Sequence, residues 1–352
     1  MNPRKAKRPL AFISVFAAIA LLAFPVLAGA QRAPGPITPS RQPQGSSTGA
    51  EQKIAKPAAP AETPVVNVDV LVTDEDGVVL AGLKQENFRI LDNGKPQTIT
   101  QFEPVGAPIT IVLVMEYRRS AYDYFAYKSA AWGAMFLSHL EPEDFVALVT
   151  YDIKPSVRID FTHNLAEFRQ TLETLPPPHF SDANLYDAIV DTLDRLDRVK
   201  GKTAILLIGT GANTLSQHTL DSTLTRIRRS DVTIFSVGVA EAEYQSSGGT
   251  AISYLQSKNV LQTFARITGG MAFFPRMQGE LPDILRTVAT FLSNQYRIGF
   301  TPTLAPQDGK YHRLKVEIVK PDGSPLTVTS PKGKRRKLVV YAREGYTAPR
   351  GK

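Results

Sequence analysis

The stretch that decides the fold is residues 111–120, which read IVLVMEYRRS. Its first five residues are apolar, as is typical of a strand buried on both faces of a sheet. In an open α/β sheet, ligands bind outside the carboxyl ends of the strands. Here that end carries Glu116, Arg118, Arg119 and Ser120. We therefore expect the function to depend on what these polar residues do.

The same alternation of apolar strands and helix-like segments continues along the middle of the chain. Further strands are predicted at 145–151, 203–209 and 232–239, and segments such as NLYDAIVDTLDRLDRV and LQTFARIT between or after them have helical spacing. Strands buried on both faces that alternate with helices indicate a parallel sheet with right-handed crossovers. The sequence therefore predicts a doubly wound, mainly parallel α/β domain over residues 108–292.

Alternating apolar and polar residues on both sides of this domain predict half-buried strands. They occur in VNVDVLVTD within residues 64–105, and in YRIGFTP, YHRLKVEIV and KLVVYA within residues 293–348. Because two or three strands are marginal alone, we predict that the two segments pack together. They would form one small β-sandwich-like portion into which the α/β domain is inserted.

The first thirty residues have the layout of a secretory signal. Four positive charges precede an apolar run at 10–27, which is followed by Ala-Gly-Ala at 28–30. We expect cleavage after Ala30 and an exported protein, periplasmic or secreted. The alternative is an uncleaved N-terminal anchor, because the apolar run approaches the ~20 residues that span a bilayer.

Composition narrows the classes of function further. Residues 31–63 are rich in Pro, Gly, Ser and Ala and predict a disordered linker, either a tether or a simple spacer. The chain has no cysteine, which excludes disulfides and thiol chemistry. Of the formal net charge of +8, four charges lie in the first thirty residues and five in PKGKRRK at 331–337, which leaves −1 elsewhere. No nucleic-acid-binding face is indicated.

The basic run at 331–337 lies between two strand-like pieces and predicts a hairpin turn, with Gly333 permitting the bend. We expect its charges to project together into solvent. One interpretation is contact with an anionic membrane or an acidic wall polymer. The other is a charged turn that prevents pairing with other chains. The residues concerned are Lys332, Lys334, Arg335, Arg336 and Lys337.

Taken in order, these segments resemble the landmarks of a von Willebrand factor type A (VWFA) domain. The resemblance is carried by IVLVM with its polar loop, ANLYDAI, AILLIGTG, VTIFSVGVA and LQTFARITGGMAFFP. The flanks, VNVDVLVTDEDGVVLAGLKQENFRILDNGKPQTI before and YRIGFTP with AREGY after, are similar to those of the exported VWFA-domain family known from Acidobacteria. The resemblance covers about residues 64–348.

This resemblance implies a divalent-cation site, the metal-ion-dependent adhesion site, built by three loops. Its pattern is D-x-S-x-S after the first strand, a Thr before a helix and an Asp after a later strand. The matching positions here are Glu116, Arg118, Ser120, Ala183 and Thr210. Only Ser120 is unchanged, and a guanidinium has no lone pair and repels a cation. We therefore expect a degenerate site with no metal and no cofactor.

The arginines then supply positive charge themselves. We expect Arg118 or Arg119 to pair with Glu116, Asp182 or Asp187, or to receive a carboxylate from a partner; the alternative is that they are solvated at a lost site. The candidate ligand-binding residues are Glu116, Arg118, Arg119, Ser120, Asn184 and Thr210.

Motifs of catalysis are missing from the sequence. It has no G-x-S-x-G elbow, no phosphate-binding P-loop and no H-E-x-x-H, and its five histidines are scattered without metal-ligand spacing. We therefore expect an exported, non-enzymatic, adhesion-like module that binds an unknown protein partner. The alternative is a structural or assembly component of the cell envelope in which the VWFA site is idle.

Overall fold

The computed structural model describes residues 65–119, 135–239, 251–303, 308–329, 333 and 335–350. The predicted signal, the linker, Ser120, Lys332 and Lys334 lie outside these ranges. The strands before the central sheet are β1 Val66–Asp74, β2 Phe88–Asp92, β3 Lys95–Gln97 and β4 Ile99–Glu103. The central sheet is built from β5 Ile109–Glu116, β6 Phe145–Tyr151, β7 Pro155–Thr162, β8 Lys202–Gly209, β9 Thr233–Gly238 and β10 Ala272–Phe273.

The central sheet has the strand order β10-β9-β8-β5-β6-β7. All neighbours in it are parallel except β7, which is antiparallel to β6 at one edge. The chain passes from β5 to β6 on one side and returns to β8 on the other. The order therefore reverses between β5 and β8, which is the topological switch point of a doubly wound sheet.

Helices cover both faces of this sheet. They are α1 Leu165–Glu173, α2 Leu185–Leu196, α3 Leu220–Arg228, α4 Ala251–Thr268 and α5 Leu281–Ser293. Alternate residues of β5 enter two separate cores: Leu113 packs in the cluster that includes residues of α1 and α5, and Val112 in the cluster that includes residues of α2 and α4. The prediction of a doubly wound α/β arrangement is confirmed. Within the described ranges, no helix combines the length and apolar character needed to cross a bilayer.

The remaining strands come from the C-terminal segment: β11 Tyr296–Phe300, β12 Tyr311–Ile318, β13 Val328–Thr329, β14 Arg335–Arg336, β15 Leu338–Ala342 and β16 Gly345–Thr347. They pair with the N-terminal strands in two antiparallel sheets, ordered β15-β1-β11-β4 and β16-β12-β2-β3. Both sheets contribute to one core, with Val70 from β1 and Val316 from β12 among its members. The prediction that the two terminal segments build one β-sandwich-like portion is confirmed.

A buried group of charged side chains lies where the sandwich meets the α/β portion. Lys202 is 1% exposed, and its Nζ donates to the carbonyl oxygens of Leu292 and Gln295 at 3.3 and 3.0 Å. Arg297 donates to Asp231 Oδ2 at 2.7 Å, and its Nη1 lies 3.8 Å from Asp69 Oδ1. Burial raises the pKa of Asp69 to about 6, against the lowering effect of Arg297 and Lys202.

The basic run forms part of the expected hairpin. β13 pairs with β14 in antiparallel fashion, and Gly333 has a φ of 78° in the turn between them. Arg336, however, forms ion pairs with Asp74 and with Asp76 Oδ2, the second at 2.6 Å. The prediction that all five charges project freely into solvent is therefore wrong for Arg336, because the acidic turn after β1 neutralises it. Arg335 and Lys337 are exposed.

Candidate functional site

The candidate site lies at the carboxyl ends of β5 and β8, on either side of the switch point. Glu116 is the last residue of β5, and Thr210 directly follows Gly209, the last residue of β8. Because these two strands are parallel neighbours, residues 94 positions apart in sequence meet at one edge of the sheet. The structure thus brings together two of the positions that the resemblance assigned to the site.

The carboxylate of Glu116 is fully buried and is held by groups of the protein itself. Thr210 donates to it from its backbone N, at 2.7 Å to Oε2, and from its hydroxyl, at 2.8 Å to Oε2 and 3.0 Å to Oε1. Tyr151 donates its hydroxyl to Oε2 at 3.2 Å. The guanidinium of Arg118, which is only 11% exposed, donates Nε to Oε1. Both carboxylate oxygens therefore already have strong donors.

Gly209 is the residue that allows this packing. A methyl group at its Cα would place a carbon 2.6 Å from Tyr151 Oη and 2.8 Å from Glu116 Oε2, both closer than atoms can approach without a shift. Burial, together with the carboxylate of Glu116, raises the pKa of Tyr151 well above its ordinary value, so its hydroxyl keeps its proton and acts as a donor. The sequence offered one signal of this: a glycine at a strand end often marks a close approach.

The third loop of the site precedes α2. Asn184 is buried, its Nδ2 donates to the carbonyl of Ile153 at 2.8 Å, and its Oδ1 accepts from the backbone N of Leu215 at 3.0 Å. Ala183 is 1% exposed and donates its backbone N to Thr214 Oγ1 at 3.0 Å. A ligand could reach the amide of Asn184 only by breaking these bonds, since they join three loops of the site.

The carboxylate of Asp187 is bonded to the loop after β8. Its carboxylate accepts from the backbone N of Gln217 at 2.9 Å and of His218 at 3.0 Å, and it lies 2.8 Å from His218 Nδ1. Partial burial raises the pKa of Asp187, but the bonds from His218 and Gln217 outweigh it and leave the pKa below its ordinary value. Of the three acidic partners predicted for Arg118 or Arg119, the structure thus shows Glu116 bonded to Arg118, whereas the carboxylate of Asp187 is bonded to Gln217 and His218.

Arg119 differs from Arg118 in its exposure to solvent. It is exposed, and its backbone N donates to the carbonyl of Phe180 at 2.7 Å, which joins the loop after β5 to the loop before α2. Arg118 also donates Nη1 to the carbonyl of Ser181 at 3.3 Å. The two arginines that the sequence could not separate therefore differ: one fills the interior of the site, and the other lies on its surface.

Sequence reasoning missed a set of large apolar side chains exposed at this edge of the sheet. Each is 46–70% exposed and lies in a loop or first helical turns on the carboxyl side of the strands. They belong to the segments before α2, after β8, at the start of α4 and after β10. The residues are Phe180, Leu215, Ile252, Leu255 and Met277. They account for most of the large hydrophobic residues that are exposed in the described part of the chain, the others being Val78, Phe145 and Tyr311.

The donor set of the site does not fit a divalent cation. Among the described residues, no group of three or more His, Cys, Asp or Glu side chains is placed to hold a metal ion. Divalent Mg²⁺ is bound through carboxylate and other oxygen ligands. Here the carboxylate of Glu116 already accepts hydrogen bonds from the guanidinium of Arg118, the hydroxyls of Tyr151 and Thr210 and the backbone N–H of Thr210.

The strand order, the single antiparallel edge strand and the helices on both faces define a doubly wound α/β domain that carries an antiparallel β-sandwich. No protein-family model matches the sequence, and no curated protein matches it. The comparisons with solved structures therefore concern the fold only.

Three solved structures are similar to this chain. The chain is similar to the conserved hypothetical protein BatB from Bacteroides thetaiotaomicron, at 12% identity over 52% of this chain and 98% of that one, with a TM-score of 0.40. It is similar to the vWF domain of the type V pili tip protein Mfa5 from Porphyromonas gingivalis, at 13% identity over 53% and 95%, with a TM-score of 0.42. It is also similar to a von Willebrand factor type A protein from Catenulispora acidiphila, at 10% identity over 79% of this chain and 74% of that one, with a TM-score of 0.44. Scores this low add no argument about ligands.

Proposed function

We propose that this protein is a non-enzymatic binding module that recognises another protein through the loops at the carboxyl edge of its VWFA-like sheet, without a metal ion. The proposal rests on the exposed apolar side chains at that edge. They lie around a closed core, by which we mean the buried carboxylate of Glu116 with its partners Arg118, Thr210 and Tyr151. In doubly wound sheets this edge is where ligands bind.

Metal independence follows from the chemistry of the closed core. Arg118 puts a fixed positive charge against the carboxylate of Glu116, and Thr210 and Tyr151 take up its remaining acceptor capacity. A cation would have to displace the guanidinium and would be repelled by it at short range. The ion pair therefore replaces the metal as the element that fixes the geometry of the loops.

Recognition is assigned to the surface of these loops. Phe180 and Leu215 are exposed at the ends of segments that are tied to the core by backbone hydrogen bonds, so their positions are fixed before binding. Arg119 is exposed beside Phe180 and can receive a carboxylate bidentately. Aromatic residues and arginine, here Phe180 and Arg119, are enriched in protein–protein interfaces. The expected partner surface is apolar with an acidic rim.

The location of this activity is proposed from the sequence. The basic, apolar and small-residue pattern of residues 1–30 is that of a secretory signal, so the partner is expected outside the cytoplasm, in the envelope or the medium.

The test is quantitative pull-down from an extract of the cells that make the protein, with mass spectrometry as the readout. The variant Phe180→Ser/Leu215→Ser should lose the captured partner. Its matched control, Val78→Ser/Phe145→Ser, removes exposed apolar side chains from the turn after β1 and from the amino edge of the same sheet, and should keep it.

Two results would contradict the proposal. Release of the partner by a chelator would refute metal independence. Retention of the partner by the Phe180→Ser/Leu215→Ser variant, with loss in the control, would place the contact elsewhere, as expected for a structural component of the envelope with an idle VWFA site.

A further inference from the structure

A cleft lies where the C-terminal ends of α3 and α4 meet the sandwich, away from the candidate site. Its volume is about 760 Å³, within the range of small-molecule sites. Four arginines line it, and Glu344 is the one carboxylate among the described lining residues, which gives the lining a formal net charge of +3. The arginines are Arg228, Arg229, Arg266 and Arg313.

Most of this positive charge has no carboxylate partner within the described residues. Arg266 is paired with Glu344, and the guanidinium of Arg228 lies over the ring of Tyr311, 5.5 Å from its centroid. Arg229 and Arg313 are exposed, and no ion pair of either is found in the described part of the chain. The sandwich and α3 thus present positive charge to the same space.

Arg226 shows that this is not a general property of α3. It lies in the same last helical turn, but outside the cleft, and is bonded to Asp194 at 2.8 Å and Asp197 at 2.7 Å. Arginines near a helix C-terminus are favoured by the helix dipole, which accounts for Arg226, Arg228 and Arg266. It does not account for Arg313, which lies on β12.

The walls of the cleft are held in place by buried bonds. Arg343 is 8% exposed, and it donates to the carbonyl of Arg228 at 3.1 Å and to that of Gly345 at 3.0 Å. Glu344 donates its backbone N to the carbonyl of Ile267 at 3.3 Å and accepts from the backbone N of Leu314 at 2.8 Å. These bonds fix the backbones of α3, α4 and β12 relative to one another, so the chain segments that carry the arginines are positioned before any ligand arrives.

We propose that this cleft binds a multivalent oxyanion of the phosphate class, with Arg228, Arg229 and Arg313 as the charged ligands. A guanidinium donates two parallel N–H groups to an oxyanion, and three guanidiniums, two at the C-terminal end of α3 and one on β12, require several acceptor oxygens on one ligand. A phosphate group offers three such oxygens and carries about −1.5 to −2 charges near neutral pH. The site is independent of the surface proposed above.

The test is isothermal titration of the full chain with inorganic pyrophosphate, which carries two linked phosphate groups. The double variant Arg229→Gln/Arg313→Gln should bind about tenfold more weakly or worse, since each change removes a charge-assisted contact. The matched control is Arg195→Gln/Arg286→Gln, which removes two exposed helical arginines outside the cleft. It should bind within about twofold of the native chain, as expected for exposed charges that make no contact with the ligand.

The double variant is expected to fold, because both side chains are exposed, and circular dichroism checks this. Absence of stoichiometric pyrophosphate binding to the native chain, or an equal loss in the control, would overturn the proposal. A parallel titration with tricarballylate, which has three carboxylates, tests the ligand class. Binding of tricarballylate as tight as that of pyrophosphate would overturn the assignment to phosphate.

Discussion

The closed core at the switch point predicts that a single methyl group at Gly209 destabilises the protein. In Gly209→Ala the new carbon would lie 2.6 Å from Tyr151 Oη and 2.8 Å from Glu116 Oε2. Tyr151 is 1% exposed and Glu116 is fully buried, so neither can move into solvent. The methyl group must therefore displace the hydroxyl of Tyr151 or the carboxylate of Glu116, or separate the strands that carry them.

The magnitude follows from three contributions. Overpacking of a tight interior costs about 1–3 kcal/mol. Lengthening a hydrogen bond between Thr210 and the carboxylate of Glu116 costs about 1.5 kcal/mol or more, because the acceptor is charged. Replacing a strand glycine by alanine returns about 0.5–1 kcal/mol of conformational entropy. The expected net loss is about 1.5–4 kcal/mol of unfolding free energy.

A double-mutant cycle with Tyr151→Phe locates the cause. Tyr151→Phe alone removes one hydrogen bond to a charged acceptor and should cost about 1.5 kcal/mol. It also removes the oxygen at 2.6 Å, so that Gly209→Ala costs less in its presence. The double variant should lose about 1–2 kcal/mol less unfolding free energy than the sum of the two single losses, because residues in contact couple by about this amount.

Urea unfolding followed by circular dichroism measures these energies. With a slope of about 3 kcal/mol per M, the Gly209→Ala loss moves the midpoint down by about 0.5–1.3 M. Gly279→Ala is the control, because a methyl group there meets nothing within 4 Å, and it should change the stability by less than about 0.5 kcal/mol. Unchanged stability of Gly209→Ala, or strict additivity in the cycle, would refute the closed core.

Three further predictions concern the metal, the buried acid and the inserted domain. Calorimetric titration of the purified chain should show no specific Mg²⁺ or Mn²⁺ binding, because the guanidinium of Arg118 is already paired with the carboxylate of Glu116. A stoichiometric isotherm at micromolar affinity would be inconsistent with this. Burial raises the folded pKa of Asp69 from 3.8 to about 6, so the folded state holds a proton that the unfolded state releases, and this acid makes stability fall as pH rises from about 4 to about 6. The fall should be about 3 kcal/mol and absent in Asp69→Asn, as measured by urea unfolding at several pH values; equal slopes for both proteins would contradict it. A fragment of residues 108–292 should fold alone, whereas 64–105 should not, because β1 and β2 pair with β11, β12 and β15 of the C-terminal segment; a protease-resistant 64–105 fragment would show that the portions are independent.

Local patterns were sufficient for the central strands and failed at the edge of the sheet. β5 and β8 are buried along their whole length, and their continuous apolar runs predicted them correctly. β7 was not predicted, because it is an antiparallel edge strand with register irregularities and only partial burial. α3 was also missed, since its apolar face is short, although its capping box, formed by Thr219 and Ser222, is a helix-start signal that the sequence contains.

The sequence by itself determined the alternation of buried strands and helices, the β segments at both ends and the presence of side chains without oxygen at Arg118 and Ala183. These properties depend on residue type and on short periodic spacing, which are local. It left Arg118 with three acidic partners and could not distinguish Arg118 from Arg119. Only the tertiary structure decided these points, because the chain reversal at the switch point sets which groups meet. It places Thr210 and Tyr151 on the carboxylate of Glu116, uses the backbone N–H groups of Gln217 and His218 to satisfy Asp187, and leaves Glu116 as the buried charge that Arg118 neutralises. The arginine cleft has the same origin, since its charges come from α3, α4 and β12, and their proximity depends on how the inserted domain meets the sandwich.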